Sequence, residues 1–146
     1  MVNKSILFFS EGLSFLLKNK KKIREWIIFS VQLEKKEPGD INYIFCNDEY
    51  LHNLNIKYLN HDTYTDIITF NYSENTCEIS GEIYISIERV KENAQKYKAT
   101  FPEELYRVMI HGVLHLLGYK DKTRIDAQIM RDKEDYYLSL LPKFIA

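Results

Sequence analysis

Cysteine is nearly missing from this chain: of 146 residues only Cys46 and Cys77 carry a thiol, and neither lies in a C-x-x-C pair. That excludes the disulfide framework of a small secreted domain, and the two read as free thiols in a reducing compartment, Cys46 as a core residue. An excess of charge is missing too. Lys plus Arg number 20 against 21 Asp plus Glu, a formal charge of −1, so nothing here binds a polyanion through bulk electrostatics and any such contact must be local. A long apolar run is also lacking. Between Met1 and Leu17 the apolar stretches are interrupted by Lys4, Ser5, Glu11, Gly12 and Ser14, well short of the roughly 20 residues a bilayer span requires. With no cleavage site after a basic start either, the expectation is a soluble, cytoplasmic protein without a membrane partner. Repeats, low-complexity tracts and linkers are absent, so residues 1–146 are expected to form a single domain.

What is present is a succession of short elements. Ile6 to Phe9 suits a first strand, and Ile23, Trp26, Ile27, Val31 and Leu33 recur at helical spacing within Lys20 to Glu34. Glu37-Pro38-Gly39-Asp40 reads as a turn, Ile41 to Cys46 as a strand, and Asp48 as the cap of a second helix. Asp66 to Tyr72 and Glu78 to Ser86 look like neighbouring strands of a hairpin. Glu88 to Ala99 is a polar helix, and Thr100-Phe101-Pro102-Glu103 resembles a capping box that starts the next one. A final helix runs from about Lys122 to Leu141 and stops at Pro142. Together these make one α+β domain. The cluster Lys18, Lys20, Lys21, Lys22 and Arg24 reads either as a solvated helix face or as a local phosphate contact, and the 11 Tyr and 8 Phe mostly as packing.

Reactive side chains concentrate in one place. His111 and His115 stand four residues apart in an otherwise apolar helix, so their rings share one face and can aim nitrogens at one point. A histidine on an apolar face can also be a hydrogen-bonded core residue. Gly118 suits the left-handed position that ends the helix, and Asp121 then lies on the returning loop, where it either supplies a third metal ligand or caps the helix that begins near Lys122. His52 and His61, the other two histidines, read as surface or loop residues.

The run His111-Gly112-Val113-Leu114-His115-Leu116-Leu117-Gly118-Tyr119 resembles the signature of the YbeY family, bacterial rRNA maturation factors regarded as zinc-dependent, single-strand-specific endoribonucleases. Two further blocks agree in order and spacing: Leu54-Asn55-Ile56-Lys57-Tyr58 with Thr65-Asp66-Ile67-Ile68-Thr69-Phe70, and Gly81-Glu82-Ile83-Tyr84-Ile85-Ser86. The resemblance implies a small four-stranded mixed sheet with helices on both sides and a metal cleft at the end of the histidine helix. It implies one zinc ion, single-stranded RNA as substrate, the 3′ end of small-subunit rRNA as target and a role in ribosome quality control. A ribosomal protein or an assembly GTPase is the kind of partner it suggests.

Two positions depart from that pattern. Where the family continues with Asp-His, the histidine being its third zinc ligand, this chain reads Lys120-Asp121. A two-histidine, one-carboxylate set is a working catalytic arrangement, but the carboxylate lowers the charge of the centre and favours harder ions such as manganese. Where the family carries an arginine after the Tyr58 equivalent, this chain has Leu59, so Lys57, His61 or another basic group supplies the charge, or cleavage is weak.

The chemistry expected is phosphodiester hydrolysis, with His111, His115 and Asp121 acting through the metal and Asp66, Lys57 and His61 as weaker substrate contacts. A peptidase of the H-E-x-x-H type needs a glutamate where Gly112 stands. The glycine there reads equally as room for a bulky substrate or as tight helix packing. The alternative from another class is a non-catalytic RNA-binding or ribosome-assembly factor with a structural or degenerate metal site.

Overall fold

Strand β2 (Glu37–Cys46) and strand β4 (Glu78–Ser86) lie side by side in parallel at the centre of a four-stranded sheet, in a computed structural model that describes residues 5–145. Strand β1 (Ile6–Glu11) extends the sheet in parallel beyond β2, and β3 (Ile67–Asn71) pairs antiparallel with β4, giving the order β1-β2-β4-β3. The β3–β4 hairpin and the mixed four-stranded sheet expected from the sequence are both present. The expected turn at residues 37–40 is not. Glu37 and Pro38 already pair with Glu78 and Ile79, and the chain absorbs Gly39 and Asp40 in a bulge just after Pro38 before Ile41 rejoins the register. Proline without an amide donor is tolerated at such an irregularity.

Alternation along the strands sorts the two faces. Ile41, Tyr43 and Phe45 of β2 and Ile79, Ile83 and Ile85 of β4 enter the main core, which is completed by Ile23, Trp26, Ile27 and Val31 of α1 (Lys20–Leu33) and by Val108, Met109 and Val113 of α4 (Phe101–Leu116). The opposite face is smaller: Leu51 and Leu54 of α2 (Asp48–Leu59) pack on Cys46, Ile68 and Tyr84. Helices thus cover both faces. Cys46 is buried as expected, and Cys77 is exposed; both are free thiols.

Caps set where the helices begin. The cap of α2 is Asn47, whose side chain accepts from the Tyr50 amide, and Asp48 is the first helical residue rather than the cap. Ser86 caps α3 (Ile87–Lys96), and Thr123 caps α5 (Arg124–Leu140). At α4 the capping box is complete: Glu103 donates its amide to Thr100 Oγ1, and the Thr100 amide returns a bond to the Glu103 carboxylate. Of the basic cluster, Arg24 is committed to the Ile6 carbonyl at 2.7 Å, and Lys21 and Lys22 face solvent.

Helix α4 lies unusually close to the sheet. A methyl group added at Gly112 would meet Ile83 Cγ2 at 2.7 Å and Ile67 Cδ1 at 3.0 Å, so the glycine is there for helix-to-sheet packing and leaves no room for substrate. Gly118, with φ +104°, ends the helix in the backbone region that suits glycine, and the chain turns back toward the histidines.

Candidate metal centre

His111, His115 and Asp121 meet at one point. His111 Nε2 and His115 Nε2 are 2.9 Å apart, and Asp121 Oδ2 lies 3.3 Å from the first and 3.4 Å from the second. A tetrahedral ion with bonds of about 2.0–2.2 Å spaces its donor atoms about 3.3–3.6 Å apart, close to this triangle. Among the described residues this is the group of three or more His, Cys, Asp or Glu side chains able to hold a metal ion.

The hydrogen bonds behind the rings fix which nitrogens face inward. His111 Nδ1 donates to Glu134 Oε2 at 2.6 Å, and His115 Nδ1 donates to the Tyr119 carbonyl at 3.0 Å. Each ring therefore carries its proton on the outer nitrogen and turns a lone pair toward the centre. Two lone pairs and a carboxylate oxygen this close repel one another until a cation lies between them. The donor set thus fits a divalent ion, with the partner behind each imidazole that metal-binding histidines require.

Two layers hold this arrangement. Glu134, on α5 and only 5% exposed, takes His111 on one oxygen and Arg107 Nη1 on the other at 2.9 Å, while Arg107 Nη2 reaches Asp135 at 2.7 Å. Behind His115, the Tyr119 hydroxyl donates to Glu34 Oε1 at 2.5 Å, and Glu34 also receives Lys133 at 3.0 Å and the Tyr137 hydroxyl. Burial works against the charge on Glu34, but its bonds from Tyr119, Tyr137 and Lys133 prevail and hold the carboxyl below its ordinary value. Burial likewise opposes a charged His111, yet Glu134 and Asp121 outweigh it and raise its pKa; His115 is lowered by burial and by the neighbouring imidazole. Sequence reasoning missed Glu134 and Glu34. Glu134 lies within α5 and Glu34 caps the end of α1, both in stretches that read as ordinary solvated faces, and no spacing links them to the histidines.

The centre opens on a cleft of about 480 Å³ whose walls include Asp66, His61, Leu59 and Thr65. Asp66 and His61 thus stand beside His111, His115 and Asp121 in one cleft. Burial pushes the Asp66 carboxyl above its ordinary value. Lys57 does not line this cleft; its ammonium lies 5.1 Å from the Tyr58 ring. His52 sits within α2, bonded to Asp62 at 2.8 Å and stacked on Tyr64.

A family model described as "Endoribonuclease YbeY" matches residues 13–142. The chain belongs to the YbeY family. A relative named "Endoribonuclease YbeY" from Amoebophilus asiaticus is 51% identical over 138 residues, 94% of each chain. One of the same name from Cytophaga hutchinsonii is 49% identical over 140 residues, 96% of this chain and 98% of its own. The solution structure of TM1509 from Thermotoga maritima superposes with a TM-score of 0.67 at 30% identity, covering 94% of this chain and 89% of that one. The YbeY fold, with its sheet of four strands and helices on both faces, is therefore the fold of this chain, and among the described residues no helix is long and apolar enough to cross a membrane.

Proposed function

We propose that the chain is a zinc-dependent endoribonuclease that cuts single-stranded RNA, with His111, His115 and Asp121 as the ligands of one ion. The observation that carries this reading is the convergence of three lone-pair donors at the wall of an open cleft. Three protein ligands leave a position free, as catalytic zinc sites do, whereas structural sites are closed by four. A divalent ion held there supplies Lewis-acid polarisation of a phosphoryl oxygen and lowers the pKa of water. The chain's own residues do the rest. Glu134 and the Tyr119 carbonyl hold the imidazoles in register, and Asp66 and His61 stand in the cleft where they can hold or pass a proton beside the substrate. With Asp121 in place of a third histidine, manganese is an alternative occupant.

The name shared by the relatives supports RNA as substrate. On that reading the target is the 3′ end of small-subunit rRNA, reached in the cytoplasm through a ribosomal protein or an assembly GTPase, with ribosome quality control as a second role. Leu59 on the cleft wall favours the competing reading of a non-catalytic RNA-binding factor. A peptidase has no support: Gly112 stands where the base is needed, packed against Ile83.

Metal content by inductively coupled plasma mass spectrometry, on protein without a histidine tag, together with cleavage of a single-stranded RNA, tests the proposal. Near-stoichiometric zinc, lost in Asp121→Ala along with cleavage, is the expected result. Metal bound at the site with no cleavage of any RNA points to the binding factor, and cleavage that persists after loss of all three ligands overturns the assignment.

A further inference from the structure

His111, Asp121 and Asp66 line two clefts, not one. The second, about 270 Å³, is bounded in addition by Asn93, Tyr97, Glu104, Arg107 and Arg131. It falls just under the roughly 300 Å³ at which small-molecule pockets begin, room for a group the size of a single nucleoside. The polar stripe of α4 connects it to the metal centre, because Glu104, Arg107, His111 and His115 follow one another at intervals of three and four residues along one face.

Three side chains in this cleft are not accounted for by the metal centre. Glu104 is 7% exposed, and among the described residues no donor lies within hydrogen-bonding distance of its carboxylate. Arg107, one turn away, directs its donors to Glu134 and Asp135 instead. Arg107 and Arg131 act on this carboxylate only through space, and the part of Glu104 that meets solvent opens on the clefts it lines, so a ligand there can reach it with hydrogen bonds the protein does not supply. Tyr97 closes α3 as an exposed residue at the cleft wall, with the Lys96 ammonium 5.6 Å from its ring. Arg131 has a side chain 60% exposed, and its nearest carboxylate, Glu134 at 3.8 Å, already serves Arg107 and His111.

A second metal ion is the first occupant to consider. The carboxylates of Asp66, Glu104 and Glu134 do not gather their oxygens as the histidine site does, so they form no ligand set. A flat ligand that brings adjacent N–H donors and an anionic group fits better. We propose that the second cleft is a base-reading subsite in which Glu104 accepts from the Watson–Crick edge of a guanine stacked on Tyr97, with Arg131 on that nucleotide's phosphate. Guanine alone among the four bases offers a carboxylate two neighbouring donors, N1–H and N2–H; uracil sets one N–H between two carbonyl oxygens, and adenine and cytosine set an amino group beside a ring acceptor. Stacking and a guanidinium fork supply affinity without base preference, so the preference rests on Glu104. The inference depends on the ribonuclease reading, since the subsite would hold a nucleotide flanking the bond to be cut.

The test uses the full, zinc-loaded chain and the four ribonucleoside 5′-monophosphates, followed by NMR chemical shifts of backbone amides. GMP should perturb residues around Tyr97, Glu104 and Arg131 and bind about tenfold more tightly than UMP, within the range one bidentate pair provides. Glu104→Gln, close in shape, should keep the fold and erase that preference; Tyr97→Leu should weaken all four nucleotides, with recovery in Tyr97→Phe. Equal affinity for the four nucleotides, shifts confined to other surfaces, or a guanine preference that survives Glu104→Gln overturns the subsite. Cleavage of single-stranded RNAs differing in one base separates this from the function itself. An active enzyme indifferent to guanine overturns only the subsite, and a guanine-binding protein that cleaves nothing overturns only the ribonuclease reading.

Discussion

Glu134 Oε2 lies 2.6 Å from His111 Nδ1, joining a residue of α5 to the ring that begins the candidate metal site. Because the same carboxylate also takes Arg107, its orientation is fixed from two sides. Glu134→Gln should lower metal affinity about 10–100-fold, the usual cost of losing the partner behind a ligating histidine. A chelator competition titration measures it, and affinity equal to that of the unmodified chain would show that His111 needs no such support.

Gly112→Ala tests how tightly α4 sits on the sheet. The added methyl drives into Ile83 and Ile67. Overpacking of this kind costs about 1–3 kcal/mol, more than the about 1 kcal/mol that alanine gains over glycine in a helix, so a lower urea midpoint is expected at an unchanged slope. An unchanged midpoint would mean that the two isoleucines yield freely.

Glu34 gives the acid limb of stability. Its carboxyl is held below the ordinary value of 4.5 by Tyr119, Tyr137 and Lys133, against the opposing effect of burial. A group whose pKa is lower in the folded state contributes stability above its unfolded value and loses it as pH falls through the folded one. The chain should therefore lose stability below about pH 4.5 in part through Glu34, and Glu34→Gln should be less stable at neutral pH with a shallower acid dependence. Thermal melts across pH 3–7 report both, and parallel curves for the two proteins would remove Glu34 from the account.

Leu59 is the simplest place to add charge. It stands on the wall of the metal cleft, and Leu59→Arg should tighten binding of a single-stranded RNA while steepening the dependence of log K on log salt by about 0.7, the increment for one phosphate contact. Fluorescence anisotropy at several salt concentrations gives the slope. No change in slope would place the RNA backbone elsewhere.

The sequence made some of this legible and not the rest, for identifiable reasons. The spacing of His111 and His115, the glycine after the helix and the carboxylate on the returning loop are local relationships, and local geometry decides them. Thr100 and Glu103 announced their capping box in the same way. Pro38 and Gly39 misled because a turn signal and a strand bulge use the same residues. Asp48 took the role of Asn47 because either side chain can cap a helix. Glu134, Glu104 and Arg131 were invisible for a deeper reason: periodicity shows which residues of a helix share a face, not which face of α5 meets α4.

Two of the three proposed ligands stand on α4, pressed against β4 through a residue with no side chain, whereas Asp121 is carried by the loop after Gly118. The centre is thus made of a pair borne by a helix and a third member borne by a loop. Ion exchange should be governed by how often that loop lifts away, so the rate at which the site trades its metal becomes a property of the residues between Gly118 and Thr123 and not of the histidines.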